Sequence, residues 1–256
     1  MPASPAVVRT AVVTGAGSQR GIGRATAHRL AAAGYEIAVL DLDEAAAKEA
    51  AAEIAERHGV RALGVRCDVT DRASVDSAVT EVEGALAPIG ALVNNAGITD
   101  PSRFLDIEPH VWRKIFAVNV DGTYHVTQRI AGGMVERGFG RIVNLSSVSA
   151  QRGGGVFGGS HYSAAKGAVL GLTRAVAREL GGTGVTVNAV APGLIDTDIT
   201  GGALVGEQRA SVLSTIPAGR AGSADDVAVT IAFLCTPEAE YLTGTTVDIN
   251  GGSHIH

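Results

Sequence analysis

Tyr162 and Lys166 stand four residues apart in the stretch Ser160-His161-Tyr162-Ser163-Ala164-Ala165-Lys166, so a helix through them sets a phenol and an ammonium on one face. A free phenol titrates near pH ~10 and acts as a base at neutral pH only where a positive neighbour favours the phenolate, a charge that Lys166 is placed to supply. A lone pair at this spacing is more often an ordinary surface helix, so its meaning depends on what else the chain brings near it. A glycine cluster is the second candidate. A β-branched run over residues 7–14 closes on Gly15 and is followed by Gly17, Gly21 and Gly23, then by a helical pattern through Ala25, Ala27, Leu30 and Ala31. Such a strand, turn and helix lets the backbone approach a pyrophosphate, whose charge is met by amides at the helix N-terminus. Asp41 ends the next strand, residues 37–40, where a carboxylate can hold the ribose hydroxyls of a dinucleotide.

Strand-like and helix-like segments alternate around these residues. Asp43 caps a helix that runs to His58, residues 61–66 make a third strand ending at Cys67-Asp68, and Asp71 opens a helix toward Leu86. Pro88 and Gly90 read as breaking that helix, residues 91–94 as a fourth strand closing on Asn94-Asn95-Ala96-Gly97, and residues 107–135 as a long helical region interrupted by Gly122. Further strands fall at 141–145, ending at Ser146-Ser147, at 185–190, leading to Pro192-Gly193, and at 245–249; the Tyr162 helix runs to Leu180. A Gly-rich segment, 196–222, around a short apolar helix at 203–216, reads as a mobile lid, and Ser223 or Asp225 starts the last helix. The pattern predicts an α/β fold in one domain over residues 1–256: a doubly wound, seven-stranded, mostly parallel sheet with helices on both faces. Asn95, Ser147 and Pro192-Gly193 then share the carboxyl edge of the sheet, where ligands bind. The chemistry that fits is hydride transfer, with Tyr162 as general acid or base, Ser147 hydrogen-bonding the substrate oxygen, and Lys166 stabilising the phenolate and holding the nicotinamide ribose.

Composition narrows the partners. The 256 residues carry a net charge of −5 with no basic block, which argues against nucleic acid or an anionic membrane as partner. Apolar residues make up 46% and aromatics only 4%, so the core must be built from Ala, Val, Leu and Ile, with 34 Gly allowing close packing. Cys67 and Cys235 match no metal or redox spacing and read as buried free thiols of a reducing compartment. Residues 1–10 show no basic stretch followed by an apolar core, and no apolar run is long enough to span a bilayer, so the expectation is a soluble, cytoplasmic protein.

Taken together, Thr14-Gly15 with Gly21-Ile22-Gly23, Asp68, Asn94-Asn95-Ala96-Gly97, Asn119, Ser147, Tyr162 with Lys166, and Pro192-Gly193 with Thr197 resemble the short-chain dehydrogenase/reductase family, from Val7 to Gly252. The resemblance implies a Rossmann-type domain and a Ser147-Asn119-Tyr162-Lys166 tetrad in which Asn119 links Lys166 through water to solvent; spacing alone does not single Asn119 out. It also implies that Asp68 and Val69 contact adenine, that Asn95, Ala96 and Gly97 line the cofactor, that Ile195 and Thr197 hold its carboxamide and phosphate side, and that the chain assembles as a homotetramer through long helices, with Ala164, Ala168 and Gly171 allowing close approach. Two departures stand out. Five residues, not the family's three, separate Gly15 from Gly21, so Ser18-Gln19-Arg20 makes a wider loop; and the 151–159 segment between Ser147 and Tyr162 is longer by about two residues. Just after the strand, alternation turns one serine inward, which favours Ser147 over Ser146 and Ser149.

Arg20 resembles the basic residue that NADP-preferring relatives use, whereas Asp41 would face the 2′-phosphate of NADP; NAD is the expected cofactor, ahead of NADP. His161 is read as a local hydrogen-bonding residue, His254 and His256 as a solvated or subunit-contact tail without a metal, and Arg152 as a solvated loop arginine with holding an acidic substrate group as the alternative. The leading function is interconversion of a secondary alcohol (polyol, sugar-like or small hydroxy compound) and its ketone. A 3-oxoacyl-thioester reductase using NADPH is the second enzyme reading, and a dinucleotide-binding sensor or scaffold without turnover the reading from another class.

Overall fold

The computed structural model describes residues 8–154, 158–198 and 206–255. β1 (Thr10–Thr14) is buried along its whole length, as a strand covered on both faces must be. Alternation sends Ala11 and Val13 into one core, with Leu30, Ala47, Ile54 and Ile231, and Val12 into the other, with Val79, Ile130 and Met134. The helices that supply these residues are α1 (Ile22–Ala32), α2 (Glu44–His58) and α9 (Ala224–Leu234) on the first face, and α3 (Arg72–Ala85) and α5 (Gly122–Glu136) on the second.

Seven strands, β2 (Glu36–Asp41), β3 (Ala62–Arg66), β4 (Ile89–Asn94), β5 (Gly140–Leu145), β6 (Val185–Pro192) and β9 (Thr246–Ile249) with β1, pair in the order β3-β2-β1-β4-β5-β6-β9. Every ladder between them is parallel. The order reverses between β1 and β4, which opens a crevice at the carboxyl ends of those two strands. α4 (Pro109–Phe116), α6 (Ser149–Arg152), α7 (Ser160–Glu179) and α8 (Gly206–Ser214) complete the helices described, and β7 (Ile195–Asp196) pairs with β8 (Gly222–Ser223) beside the main sheet.

Local chemistry accounts for the boundaries. Asp43 accepts hydrogen bonds from the amides of Ala45 and Ala46 and so starts α2, while Gly59, at φ 66°, ends it in the left-handed conformation. Gly64 on β3 lies so close under α2 that a Cβ there would overlap the Ala47 carbonyl and the Lys48 amide. Gly64→Ala should therefore destabilise the fold by about 3 kcal/mol, read as a lowered urea midpoint at unchanged slope.

Four expectations need correction. β4 starts at Ile89 rather than at residue 91, so Gly90, expected with Pro88 to break the preceding helix, lies within the strand: Thr10 pairs with Ile89 and Ala11 with Ala91, which makes Gly90 the extra residue of a bulge. Gly122 does not interrupt the long helical region; it is helical itself, and the irregularity is a π-helical turn at Ala117–Asp121 just before it. β6 continues to Pro192 rather than stopping at Val190, because Ala191 and Pro192 still pair with Asp248 and Ile249 on β9. α8 is not apolar: it carries Glu207, Gln208 and Arg209 and has no buried residue, while residues 199–205 of the expected lid lie outside the described residues.

Candidate active site

Two connected hollows lie along the crevice. A cleft of about 530 Å³ is lined by Gly15, Ser18 and Gly21 from the glycine loop, Asp41 and Leu42 after β2, Asp68 and Val69 after β3, and Asn95, Ala96 and Gly97 after β4. A cavity of about 190 Å³ is lined by Ser147, Tyr162, Lys166, Asn119 and the run from Pro192 to Ile195. Ile22, Asn95, Gly97 and Thr197 border both. The fold thus brings together stretches that lie far apart along the chain; Arg20 and Gly23 border neither hollow.

α7 sets Tyr162 and Lys166 on its cavity face, and β5 delivers Ser147 opposite them. Of the adjacent serines, Ser146 turns back to donate to the Lys166 carbonyl at 2.9 Å, while Ser147 Oγ accepts from the Ser149 amide at 3.1 Å and hydrogen-bonds Tyr162. A Cβ on Gly158 would overlap the Tyr162 ring, so only glycine allows that ring its position. Burial raises the Tyr162 phenol above its ordinary value, with the Ser147 hydrogen bond opposing the shift. Lys166 Nζ lies 5.8 Å from the centre of the Tyr162 ring and donates to the Leu145 carbonyl at 2.7 Å. The expected ammonium beside a phenolate is therefore an ammonium held against the end of β5, within reach of the ring but not bonded to its oxygen.

Burial lowers Lys166 from 10.5 to about 8. The unfolded chain binds this proton more tightly, so the buried site weakens the folded state at neutral pH and the penalty fades as pH rises from about 8 to 10.5. Relative to Lys166→Met, wild-type stability should gain about 2 kcal/mol between pH 7 and 10 in denaturant titrations; parallel curves would mean that the ammonium is solvated.

Asn119 sits in the π-helical turn, fully buried. Its Nδ2 donates to the carbonyls of Ile98 and Ile115, both at 2.9 Å, and its Oδ1 has no hydrogen-bond partner among the described residues. A Cβ on Gly97 would stand 2.7 Å from Asn119 Oδ1 and 3.3 Å from Lys166 Nζ, so the two groups converge on one spot left open by that glycine.

The cleft has the features a dinucleotide requires. Gly21 caps α1 without any side-chain hydrogen bond, so the first amides of the helix are left for an anion. Asp41 Oδ2 accepts from the Gly17 amide at 2.8 Å and Oδ1 from the Asp43 amide at 3.1 Å, which fixes the carboxylate at the cleft rim and leaves each oxygen a further lone pair. Asp68 Oδ1 accepts from the amide and hydroxyl of Thr70 at 2.9 and 2.7 Å, which holds its carboxyl below the usual carboxylate range. Asn95 Nδ2 ties the ends of β1 and β4 together through the carbonyls of Thr14 and Gly15.

Spacing gave no sign of Asp198. Its carboxylate accepts from Ser18 Oγ at 2.7 Å and from Arg20 Nε at 2.7 Å, clasping the widened glycine loop to the segment after β6. Arg20 thus points at Asp198, a partner 178 residues away that no local pattern could reveal. His161 is fully buried with Nε2 3.3 Å from Asp100 Oδ1 and forms no well-aligned hydrogen bond among the described residues, unlike the local bonding residue expected. Cys67 and Cys235 are buried free thiols. Among the described residues no group of three His, Cys, Asp or Glu could hold a metal, and no helix is long and apolar enough to cross a membrane; His256 lies outside the described residues.

A family model described as enoyl-(acyl carrier protein) reductase matches residues 15–254. An uncharacterised short-chain type dehydrogenase/reductase of Sinorhizobium fredii is 50% identical over 97% of this chain and 98% of its own length. The 3-oxoacyl-acyl-carrier-protein reductase FabG of Escherichia coli is 37% identical over 96% of this chain and 98% of its own. A crystal structure from Beutenbergia cavernae, provisionally named an NAD(P)-dependent gluconate 5-dehydrogenase and holding NADP at low occupancy, superposes with a TM-score of 0.88 at 37% identity, over 96% of each chain.

Proposed function

The chain belongs to the short-chain dehydrogenase/reductase family, and on that premise we propose that it is an NAD-dependent oxidoreductase interconverting a secondary alcohol and its ketone. One observation carries the reading: Ser147, Tyr162 and Lys166 line a cavity that shares Ile22, Asn95, Gly97 and Thr197 with the cleft bordered by Asp41. Gly15, Ser18, Gly21, Asp41, Asp68 and Val69 would hold the dinucleotide, with its nicotinamide end toward Gly97, Pro192, Gly193, Ile195 and Thr197. The bound nicotinamide supplies or accepts the hydride. Ser147 then donates a hydrogen bond to the substrate oxygen, and Tyr162 Oη gives that oxygen a proton in reduction or takes it in oxidation. Lys166 holds positive charge close to the phenol, and the open Oδ1 of Asn119 beside it is a ready acceptor on a proton path toward solvent.

Arg20 remains a candidate cofactor contact only when released from Asp198. A segment around α8 serves as lid in this reading, because α8 buries no residue while Val212 on it borders the cavity. Assembly as a homotetramer is supported by the open faces of α7 and α5, where a Cβ on Gly167, Gly171 or Gly132 would meet nothing; action in the cytoplasm is supported by the buried thiols.

The test is a panel of secondary alcohols and ketones run with NAD(H) and with NADP(H); absence of turnover throughout overturns the proposal. The FabG relative favours a second reading, reduction of a 3-oxoacyl thioester with NADPH. An acetoacetyl thioester in the same panel separates the two, since turnover of it alone, with NADPH, selects the second.

A further inference from the structure

The cavity lining is unbalanced in charge. Among the described residues its ionisable members include the cations Arg152 and Lys166 and no Asp or Glu. Lys166 is buried with its ammonium committed to the Leu145 carbonyl. Arg152 is exposed, and its guanidinium makes a single hydrogen bond among the described residues, from Nη1 to the Ser253 carbonyl at 3.5 Å, the outer limit for such a contact. Most of its five N–H donors are therefore unused.

Other arginines behave differently. Arg20 pairs with Asp198, Arg209 with Asp196 and Arg220 with Asp226, each with a 2.7 Å contact. Those charges are neutralised in place, and Arg152 has no such carboxylate among the described residues. The neighbouring polar residue Gln151 turns away, donating to Asp248 Oδ1 at 2.7 Å, which leaves Arg152 as the polar tip of α6 at the cavity. Its root is fixed: the Arg152 amide donates to the Val148 carbonyl at 3.1 Å, and the Val148 amide to the Pro192 carbonyl at 3.0 Å, so α6 is tied to the same wall that carries Ser147.

We infer that Arg152 selects substrates bearing a carboxylate, making the favoured substrate a hydroxy acid and its oxo acid rather than a neutral polyol. This rests on the alcohol and ketone chemistry proposed above. A planar guanidinium with free donors matches a carboxylate through two parallel hydrogen bonds, whereas a hydroxyl in the same place uses one donor and leaves the charge uncompensated. Tyr162 and Ser147 act on the alcohol carbon, and Arg152 fixes the chain end, so orientation comes from two points of attachment.

The experiment uses matched pairs that differ only in a terminal carboxylate against a terminal CH2OH: gluconate and glucitol, lactate and 1,2-propanediol, 3-hydroxybutyrate and 1,3-butanediol. In wild type the acid of any pair turned over should have the higher kcat/KM. In Arg152→Gln the acid-to-alcohol ratio should fall about tenfold to hundredfold, chiefly through KM, and Arg152→Lys should restore part of it. A wild-type preference for the neutral member, or a ratio unchanged in Arg152→Gln, overturns the inference while leaving the proposed reaction standing. Silence of all six compounds together with the wider alcohol and ketone panel overturns both.

Discussion

Tyr162→Phe should lower kcat by about 10²- to 10⁴-fold while shifting the dissociation constant of the cofactor by less than about threefold. The substitution removes one oxygen and keeps the ring, which packs on Gly158. It removes the group that Ser147 hydrogen-bonds and with it the proton that must pass to or from the substrate oxygen. Because burial holds the phenol above its ordinary value, it is uncharged at neutral pH and its loss strips no buried charge of a partner, so the fold should tolerate the change. Steady-state kinetics with binding calorimetry for the cofactor separates the two effects. A variant retaining a tenth or more of wild-type kcat would show that another group carries the proton.

Asp41→Asn should shift the ratio of catalytic efficiencies for NAD over NADP toward NADP by about tenfold to hundredfold. At about 4 Å and an effective dielectric of about 20, a carboxylate opposite a 2′-phosphate costs on the order of 4 kcal/mol per unit charge, and solvent and salt reduce that to about 1.4 to 3 kcal/mol. Asn is the informative replacement because Asp41 also shapes the glycine loop, its Oδ2 accepting the Gly17 amide, and an amide oxygen can keep that bond while the charge is lost. Arg20 sharpens the case. While its guanidinium is held by Asp198, it does not offset the repulsion. An NADP preference in wild type, or no movement of the ratio in the variant, would remove Asp41 as the discriminating residue.

The sequence displayed the sheet because parallel strands buried on both faces read as continuous Val, Ala, Ile and Leu runs, and because the turns between them carry Gly, Asp and Asn. Tyr162, Lys166, Ser147 and the glycine loop were visible for a related reason: each is fixed by local geometry, a helical spacing or a strand end. Features that depend on a register slip were not. Gly90 looked like a breaker because a bulge residue and a helix-breaking glycine have the same local signature, and only the pairing of Thr10 and Ala11 with Ile89 and Ala91 distinguishes them. The π-helical turn that places Asn119 leaves no compositional trace, so its role could enter only through the family resemblance. Asp198 and Arg20 meet across 178 residues, a distance over which charge patterning is silent.

β9 is the last strand of the sheet, yet it braces the cavity wall: Ile249 pairs with Pro192, and its carbonyl accepts the Gly193 amide at 2.9 Å. During synthesis the glycine loop, the Tyr162 helix and the first six strands of the main sheet leave the ribosome before this strand does. A nascent chain can therefore build the dinucleotide cleft while the Pro192-Gly193 wall still lacks its partner. The order of translation places the dinucleotide cleft ahead of a finished substrate cavity.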